Sequence, residues 1–425
     1  MVHYRVDKTE GTVYPFCVYS YYWTYTETRL CTGSNVLMKI RAGVGYSRNL
    51  DNAREAGKEA ATAALGALGG EPPAVVIVFC TPRYDLPQLI AGIRSVTGAA
   101  RLIGGTGAGE IVQGTHLGFG GGVGILAITA GAYRFGLASA ANIKGHLDQV
   151  GQNIARASKA EAGPSPHAAL MLLADCLAGD LQELVQGVYR ITGPKVSITG
   201  GAAGDELKFE RTFVFHDDQV IDGGAVGLWI ASDRPLPVVT RHGWEPVGIP
   251  LLVTRAEGTE IHELGGRPAA EAYEEQLGFA PGELSSTDFW DTSIVHPFGL
   301  LQSDGTAVIR VARSKTDEGT LKIQGCVPPT GSAVQVMSSS TEALLDITNE
   351  VVREASAGHP EIGALLVFSC AARAVIFGPR TVEEAARLQA AAGDTPTFGI
   401  YCCGEFARTA GVLGTHNATL TALAL

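Results

Sequence analysis

The strongest constraint on the fold is one layout that the chain uses three times. An apolar run, Val75-Val76-Ile77-Val78-Phe79-Cys80, is followed by a helix-like stretch at 86–96 and then by Leu102-Ile103-Gly104-Gly105-Thr106-Gly107-Ala108-Gly109-Glu110. The order returns as a run at 168–176 ending in Asp175-Cys176, a helix at 181–189, and Ile198-Thr199-Gly200-Gly201-Ala202-Ala203-Gly204-Asp205-Glu206. Cys80 to Glu110 and Cys176 to Glu206 are both 30 residues apart. A third copy runs from 364 to Cys370, through a short strand expected at 374–377 and a helix at 382–392, to Phe398-Gly399-Ile400-Tyr401-Cys402-Cys403-Gly404-Glu405.

Each unit therefore reads strand, Cys, helix, strand, Gly-acid turn. The strands are apolar throughout, so both of their faces are covered. The separation of the two strands leaves room for a crossover helix between parallel neighbours. Units this long are duplicated layers of one fold, not turns of a solenoid. Runs at 122–128 and 225–230 follow glycines and read as antiparallel strands, and the segment 212–220 alternates and turns at Asp217-Asp218. The expected fold class is α/β, with mixed parallel and antiparallel sheets in a two-domain layered sandwich of α-β-β-α order.

The polar, Pro-bearing stretch 232–237 marks the expected boundary, giving domains at 38–235 and 236–425. The first 37 residues stand apart: they hold six of the chain's twelve Tyr and no apolar signal region. They are read either as an aromatic cap or binding arm, or as the product of a start assigned upstream of Met38, where a strand at 38–44 begins.

Composition narrows the function. The 425 residues carry a formal charge of −11, which repels phosphate backbones and anionic lipid surfaces. No basic stripe offsets this, so neither nucleic acid nor a membrane is an expected partner. No apolar stretch reaches the ~18–20 residues a membrane span needs. The eight Cys form no C-x-x-C and the adjacent pair Cys402-Cys403 gives no zinc spacing, which fits reduced thiols in the cytoplasm.

Candidate sites follow from residue chemistry. Glu110, Glu206 (with Asp205 beside it) and Glu405 sit on Gly turns, where an acid can hold a ligand ammonium or a cation while free backbone N–H groups take a carboxylate. The same acids could equally cap helices or pair with Arg. Arg373 has the fork for a carboxylate, and Cys370 at a strand end is a candidate reactive thiol. Cys80 and Cys176 occupy matching places, which favours small packed residues there. His416-Asn417-Thr419, close after Glu405, offers an amide that can bind a ligand through both groups. His242 and His296 are the candidate ligands for a metal or haem iron, but no H-E-x-x-H or paired spacing supports them. Ser47 is no nucleophile elbow; it caps the helix at 52–68 or leaves that to Asp51.

These residues in this order resemble the paired FIST N-terminal and C-terminal domains. The likeness runs from Lys39 through Gly43-Val44-Gly45-Tyr46-Ser47, the two Gly turns and Gly224-Ala225-Val226-Gly227. It continues through His242-Gly243-Trp244-Glu245-Pro246, Glu263-Leu264-Gly265-Gly266-Arg267-Pro268, Phe368-Ser369-Cys370 with Arg373, Gly404-Glu405 and His416-Asn417. The resemblance implies a cytoplasmic sensing module of signal transduction that binds an amino acid or related metabolite and acts through a separate signalling partner, such as a histidine kinase. No cofactor is expected from the residues; one branch of the family resembles haem-binding nitric-oxide sensors, which keeps haem as an alternative. The others are a hydrolase built on Cys370 or Ser47 and a pure interaction module. Glu110, Glu206, Arg373, Cys370, Glu405, His416 and Asn417 are the expected ligand-binding residues, with no catalytic set.

Overall fold

The computed structural model describes residues 4–6, 13–15, 40–302, 305–358, 362–409 and 412–425. The chain falls into two units, 1–37 and 38–425. In the first, the strands Tyr4–Val6 and Val13–Pro15 pair antiparallel; the rest of the aromatic segment lies outside the described residues.

In the second unit each repeat builds the centre of one six-stranded sheet. Val75–Cys80 lies parallel to Arg101–Thr106, His167–Asp175 to Ser197–Ala203, and Leu365–Cys370 to Thr397–Cys402. The crossover helices are Leu86–Thr97, Leu181–Thr192 and Thr381–Ala392, as the spacing predicts. Asp85 and Asp180 cap the first two by accepting backbone N–H groups of the first turn, which fixes where those helices begin. The strands predicted near 122–128 and 225–230 run Val123–Ile128 and Ala225–Ser232, each antiparallel to a central strand.

The outer end of each sheet comes from another repeat. The first sheet ends in the hairpin Phe213–His216 and Gln219–Asp222, which follows the second repeat. The second ends in Glu405–Thr409 and Val412–His416, from the third repeat. The third ends in Glu110–Val112 and Thr115–His116, from the first. The exchange is cyclic and closes the three sheets around one core. Alternation explains how: Val75, Ile77 and Phe79 point into the shared core with Met171, Leu366 and Phe398, while Val76, Val78 and Cys80 face the helices. Phe79 stacks on Phe398 at 5.1 Å between centroids, tying the first sheet to the third.

Helices back each sheet, so the chain is α/β with mixed sheets and an α-β-β-α section through any two of them. The expected boundary near 235 does not separate independent sheets: Leu236 is buried in the shared core, and the pairings of Gly201 with Glu405 and of Ile400 with Glu110 join segments on either side of it. A separate antiparallel sheet, with strands between Glu245 and Ser338, is inserted ahead of the helix Thr341–Ser356 and has its own core around Tyr273, Phe289 and Phe298.

Two local expectations are corrected. The strand expected at 374–377 belongs to the helix Ala371–Phe377, because Ala371, Ala372 and Ala374 carry helix propensity through the short apolar run until Gly378 at φ 51° ends it. The helix Ala53–Gly66 is capped by Asn52, not Asp51, and the Ser47 hydroxyl donates to Glu59 at 2.6 Å instead.

Candidate functional site

The carboxyl ends of all three parallel pairs meet, which is where open α/β sheets place their ligands. The turns that follow them are hydrogen-bonded in a ring. Gly204 N–H donates to Thr106 O at 2.9 Å, Cys403 N–H to Ala202 O at 2.9 Å, and Ala108 N–H to Tyr401 O at 2.9 Å. Packing here leaves no room for side chains: a Cβ on Gly201 would lie 2.5 Å from the Cys402 sulfur.

The register decides which acids are equivalent. Gly104, Gly200 and Gly399 occupy matching places beside Val78, Leu172 and Val367. The residue after each faces Val214, Glu405 and Glu110 respectively. Glu110 and Glu405 are thus true counterparts, but the third counterpart is Val214, not Glu206. Glu206 has the right spacing in sequence and the wrong place in space, because eight residues, 205–212, intervene before the second repeat's hairpin begins.

The three acids differ accordingly. Glu405 is 0% exposed and accepts from the Thr419 hydroxyl at 2.6 Å and the Cys402 thiol at 3.4 Å. Burial pushes its carboxyl up to about 8, against those hydrogen bonds. Glu110 is 1% exposed, neither of its oxygens has a hydrogen-bond partner among the described residues, and burial raises it well above the carboxylate range. Glu206 is gripped by Arg83 (Nη2 to Oε2 at 2.8 Å) and by the Thr81 hydroxyl at 2.5 Å. Burial works to raise it, but these bonds prevail and hold it below the ordinary value.

Arg373 is taken up within the fold. It is 0% exposed, donates through Nε to Glu384 at 3.0 Å and through Nη2 to Leu344 O at 2.8 Å, and stacks on Phe377 at 5.0 Å. Glu384 also accepts from Ser369 at 2.9 Å and Tyr401 at 2.6 Å. The chain's own helix therefore supplies a carboxylate to Arg373 through Nε and Nη2, while its Nη1 has no hydrogen-bond partner among the described residues.

Glu405 faces His416 across its hairpin, so the expected meeting of the two segments occurs. His416 is buried, and desolvation, with Arg310 and His242 nearby, lowers it to about 3. Asn417 donates to His416 O at 3.1 Å, and its Oδ1 has no partner among the described residues. Asn417, Cys370 and Cys403 line a cavity of about 30 Å³ closed by Leu207, Phe209 and Trp290, room for about one water. The Cys370 thiol is pushed up by burial and by Glu405, so it is held in the unreactive protonated form. Cys80 is raised in the same way. His242 Nδ1 accepts the Trp244 N–H at 2.9 Å, and His296 is lowered by burial. Among the described residues no group of three or more His, Cys, Asp or Glu is placed to hold a metal ion.

One further opening was not legible in the sequence. A cleft of about 610 Å³ lies between the loop after Cys80 and residues 205–211, with Arg83, Tyr84, Asp85, Lys208, Glu210 and Arg211 among its walls. It carries both signs of charge over an apolar floor that includes Leu86 and Val220. Tyr84 is 6% exposed, and its hydroxyl has no hydrogen-bond partner among the described residues. The two prolines of Thr81-Pro82-Arg83-Tyr84-Asp85-Leu86-Pro87 and the excess length of 205–212 were the available signals.

Comparison with known proteins agrees with this arrangement. The FIST N domain model matches residues 74–267 and the FIST C domain model matches 269–408. An uncharacterized protein of Mycobacterium tuberculosis is 28% identical over 388 residues, 89% of this chain and 97% of the relative. An uncharacterized protein of Mycobacterium bovis is 27% identical over 53% of this chain and 59% of its own length. A third, from Methanocaldococcus jannaschii, is 29% identical over 30% of this chain and 26% of its own length.

Proposed function

The chain belongs to the family of proteins with FIST N and FIST C domains in tandem, a pair associated with signal-transduction sensing, and on that premise we propose that it binds a small metabolite in the cleft beside Tyr84. The carrying observation is a cleft of about 610 Å³ walled by side chains of both charges.

The walls favour an amino acid or a related zwitterion. Arg83, Lys208 and Arg211 line the cleft together with Asp85, Glu210 and Asp222, and its volume lies within the usual range of ligand pockets. Arg211 and Asp222 are both about half exposed, so their ion pair is weak enough to exchange for ligand groups, whereas the partner of half-exposed Arg83, Glu206, is buried. In this reading the protein is cytoplasmic and signals through a partner such as a histidine kinase. The acidic surface and the lack, among the described residues, of a helix long and apolar enough to cross a membrane support that setting.

The test is a thermal shift against amino acids, polyamines and organic acids, with the visible spectrum recorded on the same sample. A ligand at 100 times its Kd should stabilise the protein by about 2.7 kcal/mol. Arg83→Ala and Arg211→Ala, each on the cleft wall, should abolish or sharply reduce the shift. A selective shift that survives both would remove the cleft from the account.

A further inference from the structure

Residues 205–212 lengthen the second repeat relative to the other two, and they hold unfavourable backbone. Glu206, Leu207 and Phe209 have φ of 61°, 65° and 57°. Each costs of order 1 kcal/mol for a residue with a side chain. The conformation is held from inside and outside. The Asp205 carboxylate accepts the backbone N–H groups of Phe209 at 2.8 Å, Glu210 at 2.6 Å and Arg211 at 3.0 Å. Arg83 and Thr81, from the opposite wall of the cleft, hold Glu206.

The same segment faces three ways. Lys208, Glu210 and Arg211 line the cleft. Leu207 and Phe209 close the small cavity beside Cys370, Cys403 and Asn417. The Phe209 ring also lies under the Arg313 guanidinium at 3.9 Å, on the strand Ala312–Lys315 of the inserted sheet.

We propose that residues 205–212 are a coupling element, through which the state of the cleft sets the order of the inserted sheet by way of the Phe209–Arg313 contact. The Arg83 fork is the natural trigger: whatever draws it away from Glu206 loosens the outer restraint on a strained segment and leaves Thr81 and Asp205 to hold it. That the drawing agent is a metabolite rests on the preceding reading; the mechanical linkage does not.

The experiment is amide hydrogen exchange on the full chain, with no ligand added. Arg83→Ala should speed exchange at 206–211, and also at Ala312–Lys315, by up to about fivefold. Arg190→Ala, which removes an exposed pair with Asp148 elsewhere, should change neither segment. Measured against Phe209→Leu alone, whose own exchange at 312–315 sets the baseline, Arg83→Ala should still speed exchange at 206–211 but add nothing at 312–315, which uniform destabilisation would not do. Faster exchange at 206–211 with 312–315 unchanged in Arg83→Ala overturns the coupling, as does no change in either segment. Because no ligand is used, a flat metabolite panel leaves this result standing, and a failed coupling leaves the panel result standing.

Discussion

Removing either member of the Arg373–Glu384 pair is the sharpest test of the division between structure and site. Both side chains are fully buried. Arg373→Met leaves Glu384 with only the Ser369 and Tyr401 hydroxyls; Glu384→Leu leaves a buried guanidinium with the Leu344 carbonyl and the Phe377 ring. An uncompensated buried charge costs about 3–5 kcal/mol, and Glu384→Leu belongs at the upper end because it strands the cation. For the 388 residues of the second unit, an unfolding entropy of about 2.1 cal/mol/K per residue converts this to roughly 4–6 °C in Tm. The double variant Arg373→Met/Glu384→Leu replaces the pair with apolar volume and should recover most of the loss, since such swaps are often close to neutral. Urea unfolding followed by circular dichroism gives the three values, with an unchanged m confirming that the change is one of stability. Singles within 1 kcal/mol of the parent, or a double as unstable as the sum of the singles, would refute the structural role of Arg373.

Two further outcomes follow from the buried groups. Glu405 sits at about 8 in the fold and near 4.3 when unfolded, so the folded state favours its protonated form; its stabilising contribution is complete at low pH and is lost as pH rises from about 4 towards 8. Glu405→Gln cannot ionise, so its stability relative to the parent should improve from pH 5 to pH 8, by at most about 1.4 kcal/mol per pH unit; parallel urea midpoints across that range would contradict the assignment. Gly200 adopts φ +136° and a Cβ there would stand 1.8 Å from Leu172 O, so Gly200→Ala should cost several kcal/mol or abolish folding, checked by the soluble yield and melting of the variant.

Much of the local structure was written in residues close to one another. Periodicity placed the three crossover helices, Gly393 ended the last of them, and unbroken apolar runs marked strands covered on both faces. The paired FIST domains were legible for the same reason, since their motifs are short and ordered along the chain. What the linear order hid was partnership between distant segments. The hairpin exchange joins Glu110 to Ile400 and Glu405 to Gly201, contacts 290 and 204 residues apart that no local pattern encodes. Equal spacing made Glu206 look like the sibling of Glu110, and only the sheet register showed Val214 in that place. Arg373 looked free because its partner Glu384 lies on the next helix and because burial is a property of the packed layers. The cleft at Tyr84 exists only where a loop of the first repeat meets the eight additional residues of the second. Secondary structure answers to neighbours along the chain, whereas a site answers to which surfaces the closed core brings face to face.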